Sequence, residues 1–436
     1  MRQRLFALFN LRREEIRPVL LSGLFFFCVL AALMVVRPAR EALGMQRGIE
    51  AVRWLFIGTA LVTLAVNPVF GWLVSRYRRV AFIAATYGVL IVCLLGFYAL
   101  LALAPAAVGV VSGQVFYVWF SVFNLFATML FWALMTDRFT FEQSRRCFAL
   151  IAVGGTLGAI AGAWMAATLA RPLGTPALLL VAAALLMAAV WLAWAVSRSQ
   201  GGGKDKPGAP AREQTAVIGG TAWAGLRATL QSPYLLGIAA YVVCMTVIST
   251  FLYFTRLQMV GELGADMDLR TTWFARIDLI TQVATLVLQA LVTGHLMQRL
   301  GVATALVLLP LTVALGIVGL AIVGSLAALI VLEAAFRAIQ RAITRPARET
   351  LYTVTSREDK YKSKAMIDTF VYRGGDVLGA QVEGVLARLA PGLAALAGLT
   401  VPVALAWAAL GFWLARRQRL LAASGTSGTR RRGSSP

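Results

Sequence analysis

The chain has 436 residues, 59% hydrophobic and 14% charged, with a mean hydropathy of +0.77 and a formal net charge of +22. So long and apolar a chain is a polytopic membrane protein, whose cations, lying between and beside apolar runs, set topology and meet anionic lipid, so nucleic-acid binding is not expected. Four cysteines within or beside apolar runs (Cys28, Cys93, Cys147, Cys244), without paired spacing, exclude a disulfide frame, and the single histidine, His295, excludes a His-based metal site, so no cofactor or metal is expected.

The first residues, MRQRLFALFNLRREEIRP, carry no signal-peptide cleavage region and lead into an apolar run from Val19 to Val36, read as a retained first span. Apolar segments of near-spanning length follow at about 18–42, 53–75, 80–104, 107–136, 147–170 and 175–197, then at about 231–256, 273–297, 302–323, 325–347, 365–388 and 391–415. The predicted fold is all-α, with about twelve transmembrane helices in two six-helix halves, 1–197 and 231–415. Between them lies a Gly/Pro/charge-rich linker, 198–230, and after them a polar, basic tail, 416–436, expected to be disordered.

Basic residues mark alternate loops. Arg2, Arg4, Arg12, Arg13 and Arg17 precede span one; Arg76, Arg78 and Arg79 follow span two; Arg138, Arg145 and Arg146 follow span four. The loops after spans three and nine are poor in cations, so both termini are expected in the cytoplasm, with the chain in a bacterial inner membrane.

The halves repeat. Gly71-Trp-Leu-Val-Ser-Arg76-Tyr-Arg78-Arg79 closes span two and Gly294-His-Leu-Met-Gln-Arg299-Leu-Gly301 closes span eight, 223 positions later. Gly154-Gly155-Thr-Leu-Gly158 in span five returns as Gly374-Gly375-Asp-Val-Leu-Gly379 in span eleven, 220 positions later. Parallel six-helix halves are what a rocking transporter with a site between its repeats is built from. The span-two landmark resembles the loop signature of the major facilitator superfamily, although Ser75 and Gln298 stand where the signature is acidic.

The charged residues concentrate near the end. Glu333, Arg337, Arg341 and Arg345 fall four apart, one stripe on a helix, and such a stripe is expected to face the bundle or a water-filled cavity, since a charge at mid-bilayer costs at least about 2.5–3.5 kcal/mol. Arg345-Pro346-Ala347-Arg348-Glu349 then nearly repeats Arg37-Pro38-Ala39-Arg40-Glu41 at the end of span one. Arg37 and Arg40 read either as interfacial snorkelling with Glu41 as partner or as charges at the outer mouth of a cavity; Arg345 and Arg348 read equally as topology signals. Asp137 closes span four as a cap or a cavity carboxylate. Arg276 and Asp278, two residues apart, do not share a helix face, so at least one turns inward. Span eleven carries Asp368, Arg373, Asp376 and Glu383, some of which must neutralise the arginines of span ten. Of the 41 cations five are lysines, leaving 36 arginines, and three of those lysines stand at Lys360, Lys362 and Lys364, where a flexible point charge has a use of its own.

At these residues the chain resembles the ATP/ADP translocases, the nucleotide transporters of plastids and obligate intracellular bacteria. The likeness lies in Arg341, Pro346-Ala-Arg348-Glu349, Lys360, Lys362-Ser-Lys364-Ala-Met-Ile-Asp368 and Arg373 with its glycines; in Phe131-Trp132-Ala-Leu-Met-Thr136-Asp137 with Arg145-Arg146-Cys-Phe-Ala-Leu; and in Arg37-Pro-Ala-Arg40-Glu41. The resemblance implies nucleotide-handling charges at Arg40, Asp137, Asp278 and Arg341 or Arg348. Arg40 and Arg348 stand where that family usually has lysine, which keeps the charge and changes its geometry.

The reading is a secondary transporter working by alternating access, not an enzyme, carrying an organic anion such as a nucleotide or phosphorylated metabolite. Its substrate-binding candidates are Arg37, Arg40, Asp137, Asp278, Glu333, Arg337, Arg341, Arg348, Asp368, Arg373 and Asp376. Its gating candidates are Arg76, Arg78, Arg79, Arg299, Lys360, Lys362 and Lys364, and its expected partners are a small-molecule anion and membrane lipid. Two alternatives stand: a proton-coupled exporter of a small organic molecule or drug, using one of the carboxylates, and a non-transporting sensor or scaffold. A polytopic enzyme is disfavoured because no nucleophile–base pair or metal cluster stands out.

Overall fold

The computed structural model describes residues 13–76, 79–198, 227, 229–292, 295–355, 363–364, 366–390 and 392–432; the side chains at 13–14, 69–81, 141, 145, 292–300 and 424–432 lie outside that description. The described residues form helices joined by short turns, without a strand. The helices are α1 (Arg13–Gly44), α2 (Ile49–Arg76), α3 (Arg79–Ala102), α4 (Ala106–Arg138), α5 (Phe141–Leu173), α6 (Ala177–Arg198), α7 (Pro233–Gly261), α8 (Met267–Val292), α9 (His295–Val323), α10 (Leu326–Ile339), α11 (Arg345–Leu351), α12 (Tyr372–Leu389) and α13 (Leu393–Arg432).

Ten of these helices are long and apolar enough to cross a membrane. The two remaining predicted spans are the charged ones, and each is interrupted. In span ten Pro346 lacks an N–H and its ring would strike the carbonyl four residues back, so regular α geometry fails. The helix meets this with a π-turn at Gln340–Thr344, in which the Arg345 N–H reaches five residues back to the Gln340 carbonyl. Span eleven opens with a second π-turn, Ile367–Val371, for which no proline is responsible. Together α10, its π-turn and α11 cover the predicted tenth span, and the second π-turn with α12 covers the eleventh. The predicted linker, 198–230, lies almost wholly outside the described residues. Of the tail, 416–432 continues α13, because Ala415-Arg-Arg-Gln-Arg-Leu-Leu-Ala-Ala423 is rich in strong helix formers; disorder was expected there.

Contacts divide the chain into two compact units: Met1–Pro210 with Val260–Leu279, and Ala211–Met259 with Ile280–Pro436. The first is built round α1, whose Phe25, Val29, Leu33 and Val36 are buried against Phe116, Phe123 and Phe131 of α4. Phe26 stacks on Phe131 at 4.0 Å between centroids. In the second, Trp407 is fully buried beside Tyr241, whose hydroxyl donates to the Leu306 carbonyl at 2.8 Å. The outward faces carry Leu315, Ile322 and Val331, as lipid-facing helix surfaces should.

The repeat read from the glycines is also a repeat of packing. A Cβ on Gly154 would lie 2.3 Å from the Gly23 carbonyl oxygen, and one on Gly158 2.2 Å from that of Phe27, so α5 lies backbone to backbone on α1. In the other unit Gly375 and Gly379 give α12 the same approach to α7, at Thr246 and Val247. Gly155 meets Phe26 and Gly375 meets Thr246; glycines and partners alike are 220 positions apart.

Candidate functional site

In the unit that contains α1 to α6, the end of α1 carries two arginines with different surroundings. Arg37 Nε lies 3.6 Å from Asp278 Oδ2, and the Asp278 side chain is only 2% exposed. Of the two α8 charges weighed from sequence, Asp278 is therefore the inward one; Arg276 is exposed, over the Trp273 ring. Arg40 donates to Glu41 at 2.9 Å and to the Tyr117 carbonyl at 3.2 Å, with its guanidinium 3.6 Å from the centre of the Tyr117 ring. Glu41 is buried, which matches the partner foreseen for Arg40. Asp137 is exposed at the last turn of α4 and belongs to the helix end. At the opposite end of α1 a pair not anticipated from sequence joins buried Glu15 to Arg146 of α5 at 2.9 Å.

In the other unit, the stripe of span ten turns into the protein. Glu333 is 2% exposed, and its Oε1 accepts from Arg337 one turn along and lies 3.2 Å from Arg256 Nη1 of α7 as an ion pair. Arg256 is fully buried and lies 5.2 Å from the Tyr253 ring centre. Sequence reasoning passed over Arg256, although it is the only charged residue in α7. Arg341, within the π-turn, donates to Gln282 Oε1 of α8 at 2.5 Å. Arg345 is exposed, as a topology signal would be, while Arg348 is buried and lies 3.1 Å from Asp368.

Of the span-eleven carboxylates expected to neutralise the arginines of span ten, Asp368 is the one seen on such an arginine, Arg348. Asp368 meets Arg348, Asp376 meets Arg373 of its own helix at 3.4 Å, and buried Glu383 accepts from Gln258 at 2.9 Å. Lys364 reaches Glu349 at 2.5 Å, the described member of the lysine cluster. Lys360, Lys362 and Arg78 lie outside the described residues, as do the side chains of Arg76, Arg79 and Arg299. Beyond the membrane-spanning stretch, burial pushes the Tyr352 phenol above its ordinary range, and Asp368 and Glu349 act the same way.

Two kinds of chemistry are available here. Guanidinium groups turned away from lipid can take the oxygens of a phosphate or carboxylate in bidentate fashion. Each carboxylate facing them can release its arginine to an incoming anion and take it back when the anion leaves. Among the described residues no cluster of ligands could hold a metal ion.

No family model matches the sequence, and no curated protein matches it. Solved structures do. The chain is similar to a bacterial homologue of the human lysosomal transporter Spinster, solved inward-facing and unoccupied, at 13% identity and a TM-score of 0.58 over 94% of this chain and 99% of that one. It is similar to a mutant of the nucleoside transporter NupG, at 14% identity and a TM-score of 0.60 over 93% and 99%. It is also similar to an autoinhibited POT-family peptide transporter, at 15% identity and a TM-score of 0.59 over 93% and 96%. At such identities what is shared is the fold, all-helical and of the major facilitator type.

Proposed function

We propose that this chain, built on the major facilitator fold, is a secondary transporter that works by alternating access and carries an organic anion, such as a nucleotide or phosphorylated metabolite, across a bacterial inner membrane with both termini cytoplasmic. The observation that carries the reading is the Arg256–Glu333–Arg337 cluster: two intramembrane guanidiniums drawn onto one carboxylate oxygen, with Arg341 one turn further along. A structural salt bridge needs one cation per carboxylate, and charges within a membrane are otherwise avoided. The nucleotide is the narrower form of the proposal and rests on the ATP/ADP translocase likeness of Arg341, Arg348, Lys364 and Arg373. Arg37, Arg40 and Asp278 are the substrate-binding candidates of the other unit, and Lys360, Lys362 and Lys364 with Arg76, Arg78, Arg79 and Arg299 the gating candidates.

Uptake of radiolabelled ATP, ADP and small organic anions into bacteria expressing the protein tests the proposal. Accumulation or exchange above empty-vector cells is expected, and lost on Arg341→Gln; no movement of any of these compounds removes the substrate. The proton-coupled reading draws on Asp278, a buried carboxylate 3.6 Å from Arg37, where taking a proton would weaken its hold on that arginine. Transport that collapses with an uncoupler, and continues without an exchange partner, would select it.

A further inference from the structure

Asp268 and Thr271 lie in the first turns of α8, which by sequence belongs to the second half, yet the compact unit that contains α1 to α6 takes in Val260–Leu279 as its own. The start of α8 is fastened there by hydrogen bonds that no reading of the sequence singled out. Asp268 Oδ1 accepts from the Thr175 backbone N–H at 2.6 Å and from the Thr175 hydroxyl at 2.6 Å. A hydroxyl has one proton and two lone pairs, so with its proton on Asp268 the Thr175 oxygen accepts from the Thr271 hydroxyl, 2.9 Å away. Thr175, in the turn between α5 and α6, and Thr271 are both fully buried. Next to these bonds lies an apolar layer of mostly small side chains. Ala275 of α8 is buried among Val35 and Ala39 of α1, Ala166 and Ala170 of α5 and Leu178 of α6.

A rocking transporter parts its two repeats on one face of the membrane while they meet on the other. A seam that opens at every cycle is best built with little apolar area and with hydrogen bonds that water can replace. The alanines meet the first need, because each methyl hides little surface and the hydrophobic term scales with area. Asp268 meets the second: its carboxylate accepts two bonds while the seam is closed and finds water in their place when it parts. Interlocked aromatic rings, such as Phe26 on Phe131 in the same unit, would hold far more firmly.

We infer that Thr175, Asp268 and Thr271 form a clasp that closes the outer face of this transporter, the face away from the termini, and sets how often that face opens. The inference rests on the alternating-access reading above.

The test uses the full-length protein in right-side-out membrane vesicles, with Thr271→Cys as reporter and a membrane-impermeant maleimide as probe. Mass spectrometry reads the labelling at each cysteine. Thr271→Cys leaves both bonds between Thr175 and Asp268 in place, so the reporter thiol is expected to react slowly. Adding Asp268→Ala is expected to speed it at least about tenfold, the size of losing one hydrogen bond to a charged group. Asp268→Asn, whose amide oxygen can still accept from the Thr175 N–H, is expected to fall between. Buried Cys147, near the other end of α5, should stay unlabelled throughout. An Asp268→Ala rate no faster than that of the reporter alone overturns the clasp, as does an equal rise at Cys147, which would mark a general loosening of the fold. Reaction confined to inside-out vesicles would overturn its placement on the outer face. Labelling needs no cargo, so a clasp that opens in a protein that moves none of the test anions stands, and only the anion is removed.

Discussion

Replacing Glu333 with glutamine removes a negative charge that Arg256 and Arg337 share. The Arg256 contact alone, at 3.2 Å, is worth about 5 kcal/mol of gross attraction at an effective dielectric constant near 20. Desolvation has already been suffered by side chains 0% and 3% exposed, so little of that attraction is recovered from water when the carboxylate goes. Breaking a buried pair on one side costs roughly 3–5 kcal/mol, which for a cooperative unit of about 200 residues is a fall in Tm of about 6–20 °C. Glu50→Gln serves as the control, because its pair with Arg53 is closer, at 2.9 Å, but Glu50 is 54% exposed. A surface pair of that kind contributes about 0–1 kcal/mol. Both variants can be followed by tryptophan fluorescence on heating in the same detergent. A Glu333→Gln protein that melts within about 2 °C of the parent, or no lower than Glu50→Gln, would refute the claim that the Arg256–Glu333–Arg337 cluster is dry.

Gly154→Ala should cost about 1–3 kcal/mol, because its new Cβ meets the Gly23 backbone, which cannot rotate away; Gly375→Ala should cost less, its nearest neighbour being the Thr246 hydroxyl. Gly96→Ala, with open space round it, should hold or slightly raise the melting temperature in the same assay. Thr140→Ala removes the hydroxyl half of the capping box, the acceptor of the Gln143 N–H at the start of α5, and should cost about 0.5–2 kcal/mol, read as a lower midpoint in a denaturant or heat melt. Lys364→Ala, whose partner Glu349 is 40% exposed, should change stability by about 1 kcal/mol or less, so any large loss of uptake in that variant would have to come from transport itself.

What the sequence made legible was periodic or compositional. Twelve apolar runs, the cation-rich loops and the paired glycine landmarks each follow from a spacing, and the glycine landmarks coincide with close helix approaches, α1 on α5 and α7 on α12. The inward turn of Glu333 and Arg337 was readable for the same reason, since lipid excludes charge. Pairings between distant helices were not readable. Arg256 with Glu333, Gln282 with Arg341 and Glu15 with Arg146 join positions 77, 59 and 131 apart, and no local rule brings them together. Arg256 nonetheless left a trace, as a lone cation within an apolar run. The π-turn at Gln340–Thr344 left another in Pro346, whereas the one at Ile367–Val371 has no counterpart in its local sequence. Asp137 and Arg345 lie exposed, at the last turn of α4 and the first of α11, and their positions leave open both readings weighed for them.

A π-turn holds one residue more than its helix needs, and the regular stretches on either side are content wherever that surplus sits. Passing it along by a single position swaps one five-residue bond for a four-residue bond and swivels the side chain it passes by about 100°. In span ten that side chain includes Arg341, so the crossing contains a built-in slack through which a guanidinium can be re-aimed while both ends of the helix stay where they are.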